Sequence, residues 1–379
     1  MGYLQTYVGL KARLAPFKLL DGFEYEKTTA AIDALLDRAE VIASGGAAGG
    51  RFHCMDGMNV ENLTQRAVSY LEALERGELP LKGKFAQPGE ALIDHSFVVT
   101  GEEIHLFYNR QLVGYEWAER IVDTFGHAVT RDLVHWRIEK PALSMSPASY
   151  ENYQIWSPGV IEHDGLYYLF YTGVNYSVAQ SICLAVSSDL YHWEKAADNP
   201  VYRPGSWSPW REDAFSDCRD PMVFRDDDGT FYLYTCTARY ADDGTVKTAV
   251  GVARSRDLFH WEDVNVFSLP HCEYSPESPF VLKRNGTYYL FYTSCNVGTC
   301  YATSTHPADG WTERGELIAN PGHAGSTAHV PSCSEVFSFR GQWYISYAER
   351  LLGNEQYLQL RELYWNDDGT CSLGKEIGI

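Results

Sequence analysis

One sequence shape recurs five times along the chain: a turn glycine followed at once by a run of alternating aromatic and apolar residues. The copies are GEEIHLFY from Gly101, GLYYLFYTG from Gly165, GTFYLYTC from Gly229, GTYYLFYTS from Gly286 and GQWYISYAE from Gly341. Another apolar stretch precedes the glycine in the last four copies (PGVIEHD, PMVFRDDD, PFVLKRN and SEVFSFR). Each pair of stretches predicts a β-hairpin with a tight glycine turn.

A second repeat follows each of the first three hairpins. Its copies are TRDLVHW, SSDLYHW and SRDLFHW, and a weaker fourth copy ends at Trp311. Each copy lies between an apolar and a polar stretch, so we expect it to turn a third strand into a fourth and its His and Trp to be structural. Four strands in every 55 to 64 residues, repeated five times, predict an all-β fold, a five-bladed β-propeller.

The first 85 residues follow a different pattern. The segments EKTTAAIDALLDRAEVIAS and ENLTQRAVSYLEALERG carry apolar residues at helical spacing. We therefore predict a small α-helical region over residues 1–85 and the propeller over residues 86–379, with a linker near LPLKGKFAQPG. The helices either brace the propeller or form a homo-oligomer contact, and the pattern does not choose between these roles.

Charge and cysteine usage narrow the possible partners. The net charge of -19 opposes binding to nucleic acid or to an anionic membrane, whereas an aromatic content of 14% suits the faces of sugars. The nine cysteines include no CxxC pair, so we expect neither a cysteine metal knuckle nor a redox site. The expected chemistry needs no metal and no cofactor. The first residues lack the apolar core of a signal peptide, which leads us to expect a cytoplasmic protein with free thiols.

Acidic residues precede three of the hairpins. Asp94 stands seven residues before Gly101, while Asp220 and Glu277 each stand nine residues before their turn glycines. Because the innermost strand of a propeller blade starts near the axis, we expect these three carboxylates to meet at one mouth of the channel. Carboxylates placed together raise one another's pKa, which is typical of active sites that need one acid protonated and another ionised.

The order of these segments resembles glycoside hydrolase family 32, the invertase and fructanase group, and more loosely family 43. The resemblance rests on HLFYNR, FGHAVTRDLVHW, IWSPGVIEHDGLYYLFYTG, CRDPMVF and SPESPF, over roughly residues 88–350. It implies a glycosidase that cleaves a β-fructofuranoside-like furanoside bond with retention of configuration. The chain departs from family 32 in Ile-Asp-His-Ser-Phe around Asp94, in Ser278 after the acid/base position, and in Phe125 at a position that is typically Trp.

The resemblance also implies roles for the acids. Asp94 matches the nucleophile, Glu277 the acid/base, and Asp220 a transition-state stabiliser that stays ionised. We expect Glu277 to hold a proton near neutral pH because of apolar neighbours such as Tyr274 and Phe280 and because of the nearby carboxylates. The expected substrate-binding residues are Arg219, His95, Asn109, Trp156, Ser157 and His329.

Two alternatives stay open. An inverting enzyme of the family 43 type, an arabinofuranosidase or xylosidase, would use the same positions, with Asp94 activating water. Carboxyl groups about 5–5.5 Å apart indicate retention, and about 6.5–9.5 Å inversion. The second alternative is a non-catalytic carbohydrate-binding propeller. In every case the expected partner is a small oligosaccharide or glycoside.

Overall fold

Turn glycines close the hairpins on which the fold is built. The computed structural model describes residues 2–44, 60–85, 87, 90–112, 122–269, 272, 275–294, 297–320, 330–350 and 356–379. Gly165, Gly229, Gly286 and Gly341 have φ values of 77° to 80°, a region that glycine adopts without steric cost. Each of them therefore reverses the chain between the first and second strands of a blade.

The repeats form a five-bladed β-propeller, as predicted, with one antiparallel sheet for each repeat in the described part of the chain. Two-residue strands β1 (Glu90–Ala91) and β4 (Gln111–Leu112) pair beside the first blade. The first blade is β2 (His95–Thr100), β3 (Glu103–Asn109), β5 (Thr124–Thr130) and β6 (Trp136–Ile138), with β7 (Leu143–Ser144) against β5. The second is β8 (Gln154–His163), β9 (Leu166–Val174), β10 (Gln180–Ser187) and β11 (Glu194–Lys195). The third is β12 (Cys218–Arg225), β13 (Phe231–Tyr240), β14 (Val246–Ser255) and β15 (Glu262–Phe267). The fourth is β16 (Pro276–Arg284), β17 (Thr287–Ser294), β18 (Gly298–Ser304) and β19 (Thr312–Ala319). The fifth is β20 (Val336–Phe339), β21 (Gln342–Arg350), β22 (Gln356–Trp365) and β23 (Cys371–Ile377).

The Asp-Leu-x-His-Trp repeat joins the third and fourth strands of the first three blades. In the second blade, Asp189 Oδ1 accepts hydrogen bonds from the backbone N–H groups of Tyr191 and His192, both at 2.8 Å. Leu190 adopts a φ of 66°, and its carbonyl oxygen accepts a hydrogen bond from Trp193 Nε1 at 3.1 Å. The repeat is a turn built from its own hydrogen bonds, which explains its recurrence without any role in binding.

The N-terminal region is helical, and its helices pack against the fifth blade. It comprises α1 (Gly2–Leu14), a 3-10 turn (Phe17–Leu19), α2 (Phe23–Ala43) and α3 (Val60–Glu75). The helices share one apolar core with Tyr357 of β22, and the hydroxyl groups of Tyr70 and Tyr357 are hydrogen-bonded at 2.7 Å. Lys27 Nζ also donates to the backbone oxygen of Ile379 at 3.0 Å. The helices thus brace the propeller, and no helix in the described ranges is long and apolar enough to cross a membrane.

Candidate active site

A backbone irregularity at the start of the inner strands positions the site. The β-ladder slips between Trp156 and Gly159, between Arg219 and Met222, and between Glu277 and Phe280. Each slip spans a Ser-Pro or Asp-Pro pair, since proline has no N–H to give to the ladder. The residue before each proline has a positive φ: 51° at Ser157, 57° at Asp220 and 50° at Ser278. Cys333, just ahead of β20, has a φ of 57°.

The three predicted acids line one cavity at this end of the axis. The cavity has a volume of about 710 Å³, the size of a pocket for a small-molecule ligand. Asp94, Asp220 and Glu277 all contribute to its wall. A second, much smaller cavity of about 30 Å³ adjoins it and shares Asp94 and Asp220 with it. The two aspartates therefore stand at the floor of the larger cavity.

Asp94 is held by donors from three blades. Its Oδ2 accepts hydrogen bonds from Asn109 Nδ2 at 2.7 Å and from Ser157 Oγ at 2.8 Å. Its Oδ1 accepts a hydrogen bond from Cys333 Sγ at 2.8 Å. Asn109 Oδ1 in turn accepts the backbone N–H of Ser157 at 3.0 Å. Asn109 and Ser157, predicted to bind substrate, both line the cavity and both contact Asp94.

Asp220 is buried, and it shares a hydroxyl group with Asp94. Ser157 Oγ lies 2.7 Å from Asp220 Oδ1 as well as 2.8 Å from Asp94 Oδ2. One hydroxyl proton cannot serve both oxygens, so the second hydrogen bond needs a proton on a carboxyl group. Burial raises the pKa of Asp220 to about 7, opposed by Arg219 and assisted by Asp94 and Glu277. Asp220 is therefore neutral at mildly acidic pH, contrary to the expectation that it stays ionised.

Arg219 joins the remaining acids at the cavity wall. Its Nη2 donates to Glu277 Oε1 at 2.9 Å, its Nη1 donates to Asp217, and its Nε lies 3.8 Å from Asp220 Oδ2. The Glu277 side chain is 37% exposed. The structure thus pairs Glu277 with the cation of Arg219, a contact that the sequence did not predict.

The other predicted binding residues differ in whether they line the larger cavity. Trp156 lines the cavity, and its Nε1 donates to Gln154 Oε1 at 2.9 Å. His95 lies behind the floor, beside the small cavity, where its Nε2 is 2.7 Å from Ser346 Oγ. Burial lowers the pKa of His95 to about 4, so this histidine is neutral and packs inside the channel rather than facing the larger cavity. His329 and Tyr274 lie outside the described residues.

The slips in the ladder correct the predicted alignment of the acids. Glu277 pairs with Thr293 just before its slip, as Arg219 pairs with Cys236 before the slip of the third blade. Glu277 therefore occupies the same position along its inner strand as Arg219 and Trp156 do in theirs. Asp220 instead occupies the position of Ser157 and Ser278. Because successive residues of a strand point to opposite sides, Glu277 meets the larger cavity, and it is absent from the described lining of the smaller one.

Comparison with known proteins finds carbohydrate-cleaving enzymes among the similar proteins. The model of the glycosyl hydrolases family 32 N-terminal domain matches residues 94–274. A β-xylosidase of Xylanibacter ruminicola is 22% identical over 342 residues, which is 78% of this chain and 100% of the relative. An insoluble β-fructofuranosidase isoenzyme of Arabidopsis thaliana is 31% identical over 173 residues, 41% of this chain and 25% of the relative.

The chain is similar to glycoside hydrolases of families 32 and 43. These similarities bear out both resemblances seen in the sequence. A xylosidase/arabinosidase of Thermoclostridium stercorarium is 27% identical over 213 residues, 48% of this chain and 42% of the relative. The chain thus spans less than half the length of that relative and a quarter of the plant one.

Solved structures agree on the fold of the chain. A thermostable family-43 glycoside hydrolase superposes with a TM-score of 0.59 at 18% identity, covering 77% of this chain and 94% of the other. A family 43 enzyme from Xanthomonas citri complexed with xylose gives a TM-score of 0.60 at 18% identity, covering 79% of this chain and 94% of the other. At this identity the likeness establishes the propeller alone.

Sequence reasoning overlooked Cys333 as a member of the site. Its side chain lines the cavity and contacts Asp94, yet nothing in the local sequence PSCSEV marks it. The Ser-Pro and Asp-Pro pairs would have aligned Ser157, Asp220 and Ser278 correctly, but the fifth blade has Cys333-Ser334 without proline. Within the described ranges, no group of three or more His, Cys, Asp or Glu side chains could hold a metal ion.

Proposed function

We propose that the chain hydrolyses the furanoside bond of a small, neutral oligosaccharide or glycoside, of the β-fructofuranoside kind, by a retaining double displacement. The observation that carries the proposal is the wall of the larger cavity, which contains a fully hydrogen-bonded Asp94, a buried Asp220 and a half-exposed Glu277. Its volume of about 710 Å³ accommodates a small sugar.

In the first step, Asp94 attacks the anomeric carbon while the bond to the leaving oxygen breaks. Glu277 gives its proton to that oxygen, and a glycosyl ester on Asp94 results. In the second step, Glu277 takes a proton from water, the water oxygen bonds to the anomeric carbon, and the Asp94 carboxylate is released. The sugar leaves with its original configuration.

The shared hydroxyl of Ser157 supports Asp94 as the ionised member of the aspartate pair. With its proton, Asp220 can donate to Ser157 Oγ, and Ser157 can then donate to Asp94 Oδ2. A single proton on the pair leaves one carboxylate, as the mutual repulsion of two buried acids requires. Arg219 supplies the positive charge that accompanies Glu277 when it is ionised in the second step.

An inverting xylosidase or arabinofuranosidase is the second candidate. It is favoured by the match to the whole length of the Xylanibacter ruminicola β-xylosidase. In that reaction Asp94 takes a proton from water, and the water attacks directly.

The test is a panel of fructofuranosides, arabinofuranosides and xylosides, with the configuration of the first product read by NMR and Glu277→Gln as control. Fructose released with retained configuration, and lost in the variant, is the expected result. Arabinose or xylose released with inverted configuration would transfer the chain to the second candidate. Sugar binding without turnover on any substrate would refute both and leave a carbohydrate-binding propeller.

A further inference from the structure

Four blades place a residue with positive φ at the same point of their inner strands. These residues are Ser157, Asp220, Ser278 and Cys333, with φ values from 50° to 57°. All four line both cavities, together with Asp94 of the first blade. They form a ring around the axis in which Ser157 bridges the two aspartates and the backbone N–H of Ser278 donates to Asp220 Oδ2 at 2.9 Å.

Cys333 closes this ring on the side of Asp94. Its Sγ lies 2.8 Å from Asp94 Oδ1, and its backbone N–H donates to Thr293 Oγ1 of the fourth blade at 3.0 Å. The thiol is buried, and burial together with the nearby Asp94 carboxylate raises the pKa of Cys333 well above its usual value. The thiol therefore keeps its proton and acts as the donor of the contact.

The contact complements the two at the other oxygen. Asn109 and Ser157 both hold Asp94 Oδ2, so rotation of the carboxylate about its last bond is restrained at one end. A donor on Oδ1 restrains the other end and stabilises the negative charge, because a hydrogen bond to an ionised acceptor is stronger than one to a neutral acceptor.

We propose that Cys333 is a positioning residue for the reaction: its thiol fixes the plane of the Asp94 carboxylate and favours the ionised form. The proposal rests on the proposed function, in which Asp94 must be ionised and aimed at the anomeric carbon. The same contact serves Asp94 as nucleophile or as base toward water.

The kinetic test compares Cys333→Ala and Cys333→Ser with the wild-type chain. Cys333→Ala should lower kcat about tenfold with little change in KM and move the acid limb of kcat/KM upward by about one pH unit, since one charge-assisted hydrogen bond is lost. Cys333→Ser, whose hydroxyl can donate in its place, should restore much of the rate and the original acid limb. Cys371→Ala removes another buried thiol of the fifth blade and should leave the pH profile unchanged.

An infrared measurement tests the contact without any substrate. The S–H stretching band of Cys333, taken as the difference between wild type and Cys333→Ser, should lie at lower frequency than the corresponding band of Cys371. In Asp94→Asn, the Cys333 band should move back to higher frequency. A Cys333 band that does not respond to Asp94→Asn would overturn the proposal.

The proposal would also be overturned if the acid limb of kcat/KM does not move in Cys333→Ala although the infrared band is shifted. The contact between Cys333 and Asp94 would then be structural alone. If the wild-type chain turns over no glycoside, the proposed function fails. The infrared band then still decides whether the thiol holds Asp94.

Discussion

Replacing Asp220 with Asn should stabilise the folded chain, and the gain should grow as the pH rises. The asparagine can reproduce the hydrogen bonds of the neutral acid, with its oxygen accepting from the Ser278 N–H and its amide donating to Ser157 Oγ. It cannot ionise. The substitution therefore isolates the free energy that the buried carboxylate costs.

The magnitude follows from the pKa. Burial raises the pKa of Asp220 to about 7 in the folded chain, against about 3.9 for an unperturbed aspartate. The folded chain binds this proton more tightly than the unfolded chain, so stability from this group is present below about pH 4 and is lost as the pH rises to about 7. At about 1.4 kcal/mol per pH unit, the advantage of Asp220→Asn should increase by about 2–3 kcal/mol between pH 5 and pH 8.

Urea unfolding of both chains at pH 5, 6, 7 and 8 measures this difference. Asp367→Asn, which changes an exposed carboxylate in a turn, is the control and should show no such trend. An advantage of Asp220→Asn that stays constant or shrinks with rising pH would refute the reasoning. It would mean that Arg219, 3.8 Å away, keeps Asp220 ionised throughout.

Three further outcomes are expected. Arg219→Met removes the cation between Asp217 and Glu277, which should lower the free energy of unfolding in urea by about 3–5 kcal/mol; a loss below 1 kcal/mol would contradict this account. Gly159→Ala places a Cβ 2.3 Å from the Pro221 backbone oxygen, so it should lower the free energy of unfolding by about 1–3 kcal/mol and remove much of the activity. Gly378→Ala, whose Cβ would meet nothing within 4 Å, should change neither the free energy of unfolding nor the activity. Tyr70→Phe removes the hydrogen bond to Tyr357 and should cost about 1–2 kcal/mol; an unchanged unfolding midpoint would mean that the helices dock without it.

The fold could be predicted from the sequence because each blade repeats its own local chemistry. The glycine turns and the Asp-Leu-x-His-Trp turns are built from hydrogen bonds and backbone angles within a few residues, so their sequence signals recur along the chain, the second of them clearly in the first three blades. The docking of the helices on Tyr357 could not be predicted, since it depends on a contact across 287 residues of chain.

The sequence predicted that the three acids meet, and the structure places them along one cavity, but the predicted register of Glu277 is wrong by one residue. Counting back from the turn glycines gave Asp220 and Glu277 the same offset, but the hairpin loop after β12 is longer than the loop after β16. The prolines after Asp220 and Ser278 mark the true correspondence. The protonation of Asp220 was also misjudged, because its burial arises from packing between blades rather than from neighbours in sequence.

The central claim is that Glu277 protonates the leaving oxygen in a cavity where Asp94 meets the anomeric carbon. The most direct measurement compares Glu277→Gln with wild type on two substrates of the same furanose, one releasing a sugar and the other 4-nitrophenolate. A nitrophenolate leaves without a proton, so we predict a rate loss of about 100-fold or more for the sugar leaving group and a much smaller loss of the first step for the nitrophenyl compound. Equal losses on both substrates would contradict the assignment of Glu277 as the acid.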